Sequence, residues 1–368
     1  MPAHKTLHIR AETKPLEHRC AVPPRIAAKL VQAGYNINIE RSPLSIFPDS
    51  EYDGTGAKLV PTGSWISAPA DNIIIGLKEL PEEEFPLKQT HVQFAHCYKN
   101  QAGWEKVLGR FARGGGTLLD LEFLEDEKGR RVAAFGYHAG FAGAALALMT
   151  WGEQKLEKTL PGVKPFGNED LLLEQVRVSV RRGEEKTGQK PRVLVIGALG
   201  RCGKGAVDLC TKAGLTDIIK WDIQETSARP GPYKEIVDAD IFVNCIYLSA
   251  AIPPFLDKAS LNSPDRRLSV VCDVSCDTTN PHNPVPIYNV NTTFDSPTVA
   301  VEGVEDLSVI SIDHLPSLLP REASEDFAGA LLPYLLKLDH WEEEPVWRRA
   351  FELFKKKVAT LPAKERGQ

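Results

Sequence analysis

The sequence predicts an α/β chain made of two Rossmann-like units with parallel sheets flanked by helices, and three observations carry that expectation. Short apolar runs ending in polar residues alternate with helical stretches along the chain, the pattern of parallel strands covered on both faces. A length of 368 residues is enough for two cores of ordinary size. Near the middle, the run Arg192-Val193-Leu194-Val195-Ile196 passes straight into Gly197-Ala198-Leu199-Gly200-Arg201-Cys202-Gly203 and then a helical stretch, Lys204 to Ala213.

The elements follow in order. Leu7 to Ala11 reads as a strand, Pro24 to Ala33 as a helix opened by its proline, and Asn36 to Glu40 as a second strand. Strands are expected again over Asn72 to Leu77, Val92 to Ala95 and Thr117 to Leu121. From Gly136 to Trp151 the run is rich in glycine and alanine, which suits a helix packed closely on a neighbour and crossing from one unit to the other. A charged amphipathic helix then leads to the strand at Arg192. Further strands are expected at Ile218 to Asp222, Ile241 to Asn244, Leu268 to Asp273 and Leu307 to Ile312. Beyond Pro320 the spacing of Phe327, Leu331, Leu332, Leu335 and Leu336 makes a helical apolar face. With Val346 to Lys357 it is expected to pack back on the first unit. The expected division is therefore 1–134 plus 323–368 as a substrate domain and 135–322 as a nucleotide domain, with the active site in the cleft that separates them.

The strand–glycine–helix unit has a chemical meaning. Glycines at such a turn let the backbone approach a pyrophosphate at the first amides of the following helix. The spacing here is G-x-x-G-x-x-G rather than the more usual G-x-G-x-x-G, but the strand before it and the helix after it support the assignment. Asp222 ends the next strand about 20 residues on, where a dinucleotide fold places an acceptor for the adenosine ribose hydroxyls. That carboxylate argues for NAD over NADP.

Composition narrows the field. The hydrophobic share of 42% and charged share of 25% are globular values, and a formal net charge of −5 offers no basic field for nucleic acid. No apolar run is long enough for a bilayer, the first residues lack the apolar core of a signal peptide, and a cytoplasmic protein without membrane partners is expected. Seven cysteines without a CxxC pair indicate neither a secreted disulfide framework nor a zinc site, so no metal is expected.

Ligands of open parallel sheets bind beyond the carboxyl ends of strands. There the first unit offers Lys78 and Glu79 after one strand and His96 after another. A partly desolvated lysine can serve as a base, and histidine titrates near neutrality; a capping lysine and a backbone-satisfied histidine fit the spacing equally well. Arg19, Arg130 and Arg131 are candidates for binding carboxylates through the guanidinium fork, or solvated surface charges. Glu122 is placed to pair with Lys78 or Lys14, and a structural ion pair fits it equally well. Cys202 in the glycine loop and Cys245 after a neighbouring strand are expected at one rim, either as two reduced thiols or as a reversible disulfide.

The segments Arg10 to Glu17, Ile75 to Pro81, Gln93 to Lys99, Gly197 to Gly203, Asn244 to Leu248 and Ser311 to Glu322 closely resemble the fungal, NAD-dependent, lysine-forming saccharopine dehydrogenases, within the alanine dehydrogenase and transhydrogenase superfamily. The resemblance implies oxidative cleavage of saccharopine by NAD and water to lysine and 2-oxoglutarate, the last step of lysine biosynthesis by the α-aminoadipate route, carried out by a monomer. It implies Lys78 as the base for the secondary amine and His96 as the acid–base group for water addition and collapse, with Lys14, Glu17, Glu79, Lys99 and Glu122 tuning them. Arg19, Lys78, Gln101, Arg131, Phe135, Ser275, Cys276 and Asp277 become saccharopine contacts. Gly200, Arg201, Asp222, Thr226, Tyr247, Val274, Ile312, Asp313, His314 and Leu315 become NAD contacts. The family also shows a cysteine pair at the positions of Cys202 and Cys245. An alanine dehydrogenase-like enzyme acting on a small amino acid is the nearest alternative.

Overall fold

The structure is a computed structural model that describes residues 5–248, 250–276, 278 and 281–366. The chain divides into two compact units, Met1–Ala134 with Pro320–Gln368, and Phe135–Leu319.

In the first unit the strands are β1 (Thr6–Ile9), β2 (Asn36–Glu40), β3 (Lys58–Val60), β4 (Ile73–Ile75), β5 (Thr90–Gln93) and β6 (Thr117–Asp120). They form a sheet of order β3-β2-β1-β4-β5-β6, parallel throughout. Strand order reverses between β1 and β4, which is where such sheets open a crevice for ligands. The Ile-Ile-Ile run of β4 is fully buried, as a strand covered on both faces must be. Helix α1 (Pro24–Gln32) opens on its proline and buries Ile26, Ala27 and Leu30; it ends before Gly34, whose φ of 101° lies in the left-handed region. Helix α2 (Trp104–Gly114) was not apparent in the sequence and buries Leu108 and Phe111. β1 and β4 end earlier than their apolar runs suggest, although backbone bonds continue past both, from the Arg10 N–H to the Ile75 carbonyl at 2.9 Å and from the Gly76 N–H to the Val92 carbonyl at 3.0 Å.

In the second unit α3 (Gly136–Gln154) and α4 (Glu169–Thr187) come first. The Asn168 side chain caps α4 by accepting from the Leu171 N–H at 3.0 Å. Then follow β7 (Val193–Ile196), α5 (Arg201–Lys212), β8 (Ile218–Trp221), α6 (Ile223–Ala228), α7 (Lys234–Asp238), β9 (Ile241–Asn244), β10 (Val270–Asp273), β11 (Val299–Ala300) and β12 (Ser308–Ile310). Their order is β11-β12-β10-β9-β7-β8, with only the β11–β12 pair antiparallel. The glycine-rich helix α3 lies wholly within this unit and does not cross to the other. Its small residues serve contact with α5: a Cβ on Gly140 would lie 1.8 Å from the Cys202 carbonyl oxygen, and one on Gly205 would lie 1.9 Å from that of Tyr137. The two backbones touch, which only glycine permits.

The chain returns to the first unit as α8 (Pro320–Leu335) and α9 (Pro345–Ala359). Phe327 and Leu331 of α8 are buried, as are Trp347 and Phe354 of α9; Phe327 lies against Phe94 with ring centroids 5.8 Å apart. The Cys20 N–H donates to the Ser324 hydroxyl at 3.0 Å.

Candidate active site

Polar side chains gather at the carboxyl ends of β1, β4, β5 and β6. Lys78 is half-buried just beyond β4. Burial, and then the Arg19 charge, push its ammonium below the usual lysine range, against the opposing pull of Glu17 and Glu79. Arg19 is not the solvated charge it could have been. It is buried, and its Nε and Nη2 donate to the two oxygens of Glu17 at 2.8 and 2.7 Å, a fork that fixes the guanidinium plane. Burial acts to raise the Glu17 carboxyl, but the charge and hydrogen bonds of Arg19 win and hold it below the ordinary value.

His96 stands at φ 50°, an unusual backbone region for a non-glycine residue and one associated with functional sites. Its ring is exposed, with Nδ1 3.1 Å from Glu79 Oε2. Glu79 also pairs with Lys14. Burial tends to raise the Glu79 carboxyl, yet the hydrogen bonds from His96 and Lys14 keep it well below the usual carboxylate range.

Glu122 departs from expectation. It accepts from the Lys99 ammonium at 2.7 Å instead of meeting Lys78 or Lys14, because the turn after β6 faces the segment after β5, whereas Lys14 is engaged by Glu79 after β4. The Lys99 N–H in turn donates to Gln101 Oε1 at 2.8 Å. Arg130 is tied to Asp126 at 3.0 Å, and Arg131 is exposed and bridges to Glu125 through its backbone. Asp120 was missed: its carboxylate accepts from the Ala95 N–H at 3.3 Å and the Glu122 N–H at 2.9 Å, steadying both loops. Burial raises its carboxyl to about 6. An acid at a strand end was its only sequence signal.

In the second unit the β7 turn matches a nucleotide cradle. Gly197 has φ 86°, and a Cβ on Gly203 would lie 2.1 Å from the Gly197 carbonyl oxygen, so the loop closes onto the start of α5 only with a hydrogen there. Gly200 caps α5 and Arg201 is its first residue. Asp222 caps α6, with Oδ1 accepting from Ile223 N–H and Oδ2 from Leu199 N–H, both at 2.9 Å. Thr226 donates to the Asp222 carbonyl at 3.0 Å. Leu199, Ile223 and Tyr247 are large apolar groups left exposed. Ile312 and Leu315 have side chains in the core, so only their backbones can face a ligand. His314 Nδ1 lies 2.5 Å from Asp313 Oδ1.

Beyond β9 and β10, buried Asp273 organises the turn by accepting from Asn244 Nδ2 and the Tyr288 hydroxyl at 2.9 and 2.8 Å and from the Ser275 N–H at 3.2 Å. Ser275 donates to the Ile246 carbonyl at 2.7 Å, and Cys276 is buried with φ 35°. Val274 bonds through its N–H to the Asn244 carbonyl. Asp277 lies outside the described residues. Phe135 immediately precedes α3. Cys202 and Cys245 are reduced, and their thiols are hydrogen-bonded to each other. Among the described residues no cluster of three or more His, Cys, Asp or Glu could hold a metal ion, and no helix is long and apolar enough to cross a membrane.

Residues 8–142 match the family model for the alanine dehydrogenase/PNT N-terminal domain. Over 366 residues the chain is 62% identical to a saccharopine dehydrogenase [NAD(+), L-lysine-forming] of Neurospora crassa, covering 98% of each chain. This chain belongs to the saccharopine dehydrogenase family. A Yarrowia lipolytica protein of the same description is 58% identical over 368 residues, covering 98% of this chain and all of the relative. Among solved structures, an L-alanine dehydrogenase covers 96% of this chain and 94% of its own at a TM-score of 0.66 and 19% identity, which shows a shared fold.

Proposed function

We propose that the enzyme cleaves saccharopine oxidatively with NAD and water to lysine and 2-oxoglutarate, with the first unit as the substrate domain and the second as the nucleotide domain. The observation that carries this reading is a desolvated lysine and a histidine at neighbouring strand ends, in a chain 62% identical to a lysine-forming saccharopine dehydrogenase.

The glycine cradle at α5 and the Asp222 carboxylate fit a dinucleotide. Gly200 and Arg201 would meet its pyrophosphate, Asp222 and Thr226 its ribose, and exposed Tyr247 with Val274 and the Ile312–Leu315 backbone the rest. When bound, NAD accepts the hydride from the carbon that joins the glutarate part to the secondary amine. The chain's own residues handle protons. Lys78, whose neutral form burial favours, takes the proton of the secondary amine. Once the protonated imine exists, His96 removes a proton from the attacking water, returns it to the lysine nitrogen, and takes the carbinolamine hydroxyl proton as the C–N bond breaks and the carbonyl forms. Glu79, shared with Lys14, holds the imidazole in place, and Lys99 with Glu122 sets the charge beside it. Arg19, its plane fixed by Glu17, binds a substrate carboxylate, with Gln101, Arg131, Phe135, Ser275, Cys276 and Asp277 as further contacts.

The substrates are small molecules, and the reading keeps the enzyme a cytoplasmic monomer without nucleic-acid or membrane partners. The test is NADH oxidation with lysine plus 2-oxoglutarate, run beside pyruvate plus ammonia. Turnover with the first pair is expected; turnover with the second alone would assign an alanine dehydrogenase-like activity instead.

A further inference from the structure

Lys78 leaves β4 where strand order in the first sheet reverses, and its backbone there is held from both sides. The N–H groups of Leu77 and Lys78 donate to Glu12 Oε1 and Oε2 at 2.6 and 3.0 Å. On the other side, the Lys78 carbonyl accepts from the Arg10 guanidinium. The same guanidinium reaches the Ala11 carbonyl, Glu12 Oε2 and Gln93 Oε1, each at 3.4 Å. Both side chains are buried, with Arg10 at 4% and Glu12 at 8% exposure.

Two neighbours make this arrangement specific. A Cβ on Gly76 would lie 2.3 Å from Arg10 Nε and 2.4 Å from Cζ, so the guanidinium reaches the Lys78 carbonyl only because residue 76 has no side chain. Behind the pair, Glu40 accepts from the Ala11 N–H at 3.0 Å and the Trp65 N–H at 2.7 Å, anchoring the exit of β1 to β2. Burying an arginine and a carboxylate together is a costly way merely to hold a fold, since well-packed apolar residues often do as well or better.

We infer that Arg10 and Glu12 are positioning residues for Lys78. A lysine side chain has four rotatable bonds, and a base that must stay neutral during part of the cycle cannot be held throughout by ion pairs at its nitrogen. Fixing the peptide on both sides of its Cα is the remaining way to aim it. The division of labour is physical: Arg10 and Glu12 neutralise one another, while Arg19, Glu17, Glu79 and Lys14 are the charges that act on the ammonium. The inference rests on the reading of Lys78 as the base.

The test uses the full-length enzyme with lysine, 2-oxoglutarate and NADH. Glu12→Gln keeps the shape of the side chain but turns an amide N–H toward one backbone donor. It is expected to lower kcat by about 10- to 100-fold, the scale of a misplaced reacting group, while NADH affinity and the midpoint of the kcat–pH profile stay put. Gly76→Ala is expected to cost a similar factor in the wild-type background. In an Arg10→Ala background the same change should cost no more than about twofold, because coupled residues are not additive.

Wild-type kcat in folded Glu12→Gln would overturn the inference, as would a shifted pH midpoint in place of a lower kcat, or an undiminished Gly76→Ala penalty without Arg10. If Gly76→Ala fails to fold, Glu12→Gln decides alone. Lys78→Met separates the two levels: full turnover in that variant removes the base and the positioning role together, whereas an inactive Lys78→Met beside fully active Glu12→Gln removes only the positioning role.

Discussion

Glu79 joins an imidazole and an ammonium at the strand ends of the first unit, with Oε2 3.1 Å from His96 Nδ1 and Oε1 on the Lys14 ammonium. One carboxylate thus orients the ring that would handle water and ties down the loop after β1. In the proposed reaction Lys78 would take the amine proton before hydride transfer, and His96 would serve water addition and collapse.

Lys78→Met and His96→Gln are each expected to lower turnover by about 10²- to 10⁴-fold, the range for removing a general acid or base, while NADH binding followed by fluorescence stays within error. Unchanged turnover in either would remove that residue from the proton transfers.

Glu17→Gln is expected to move the pH dependence of saccharopine cleavage. The Glu17 charge favours the protonated form of Lys78, and the cleavage direction needs the neutral amine. Removing the charge lowers the lysine further, so the rising limb of kcat/KM should shift to lower pH. A shift to higher pH would contradict the assignment.

Asp222 predicts coenzyme choice. A 2′-phosphate beside the Asp222 carboxylate, which accepts from the Leu199 N–H, meets like charge. NADPH should therefore support turnover about 10²-fold or more less efficiently than NADH. Comparable kcat/KM values for the two would displace Asp222 from the ribose.

His91 should make the first unit acid-sensitive. It is fully buried against Trp65 and Phe111, with no partner for either nitrogen among the described residues. Burial, then the Arg10 and Arg110 charges, lower it to about 3. A base depressed in the folded state takes up protons more readily when unfolded, so its contribution is intact above about pH 6.5 and is lost as pH falls toward 3. At pH 5 the loss is about 2 kcal/mol. His91→Phe should thus raise Tm more at pH 5 than at pH 7.5; an equal change at both would refute the linkage.

Cys202 and Cys245, thiol against thiol at the nucleotide rim, are expected to form a disulfide when stored under dissolved oxygen. Non-reducing peptide mapping should find the two peptides joined, and separate peptides with unchanged masses would rule it out.

The strands were legible because Ile73-Ile74-Ile75 and Val193-Leu194-Val195-Ile196 have no polar face to offer water. Lys78, His96 and Asp222 were legible because each follows such a run at a strand end. The Arg10–Glu12 hold on Lys78 was not, although both residues stand in a segment that carried the resemblance, because it depends on β1 lying beside β4 with sixty-odd residues between them. The Lys99 partner of Glu122 was hidden for the same reason: a charge at a strand end announces itself, but its partner is set by which loops the sheet order brings together.

The first unit is interrupted in sequence. Its strands lie before Ala134, but the helices bearing Phe327, Trp347 and Phe354 arrive only after the whole of Phe135–Leu319. On the ribosome, where domains generally fold as units as they emerge, the nucleotide unit can complete itself while the other still waits for its covering helices. A nascent chain halted near residue 320 would hold a finished dinucleotide fold beside a sheet still lacking part of its apolar cover, the species a chaperone would be expected to meet.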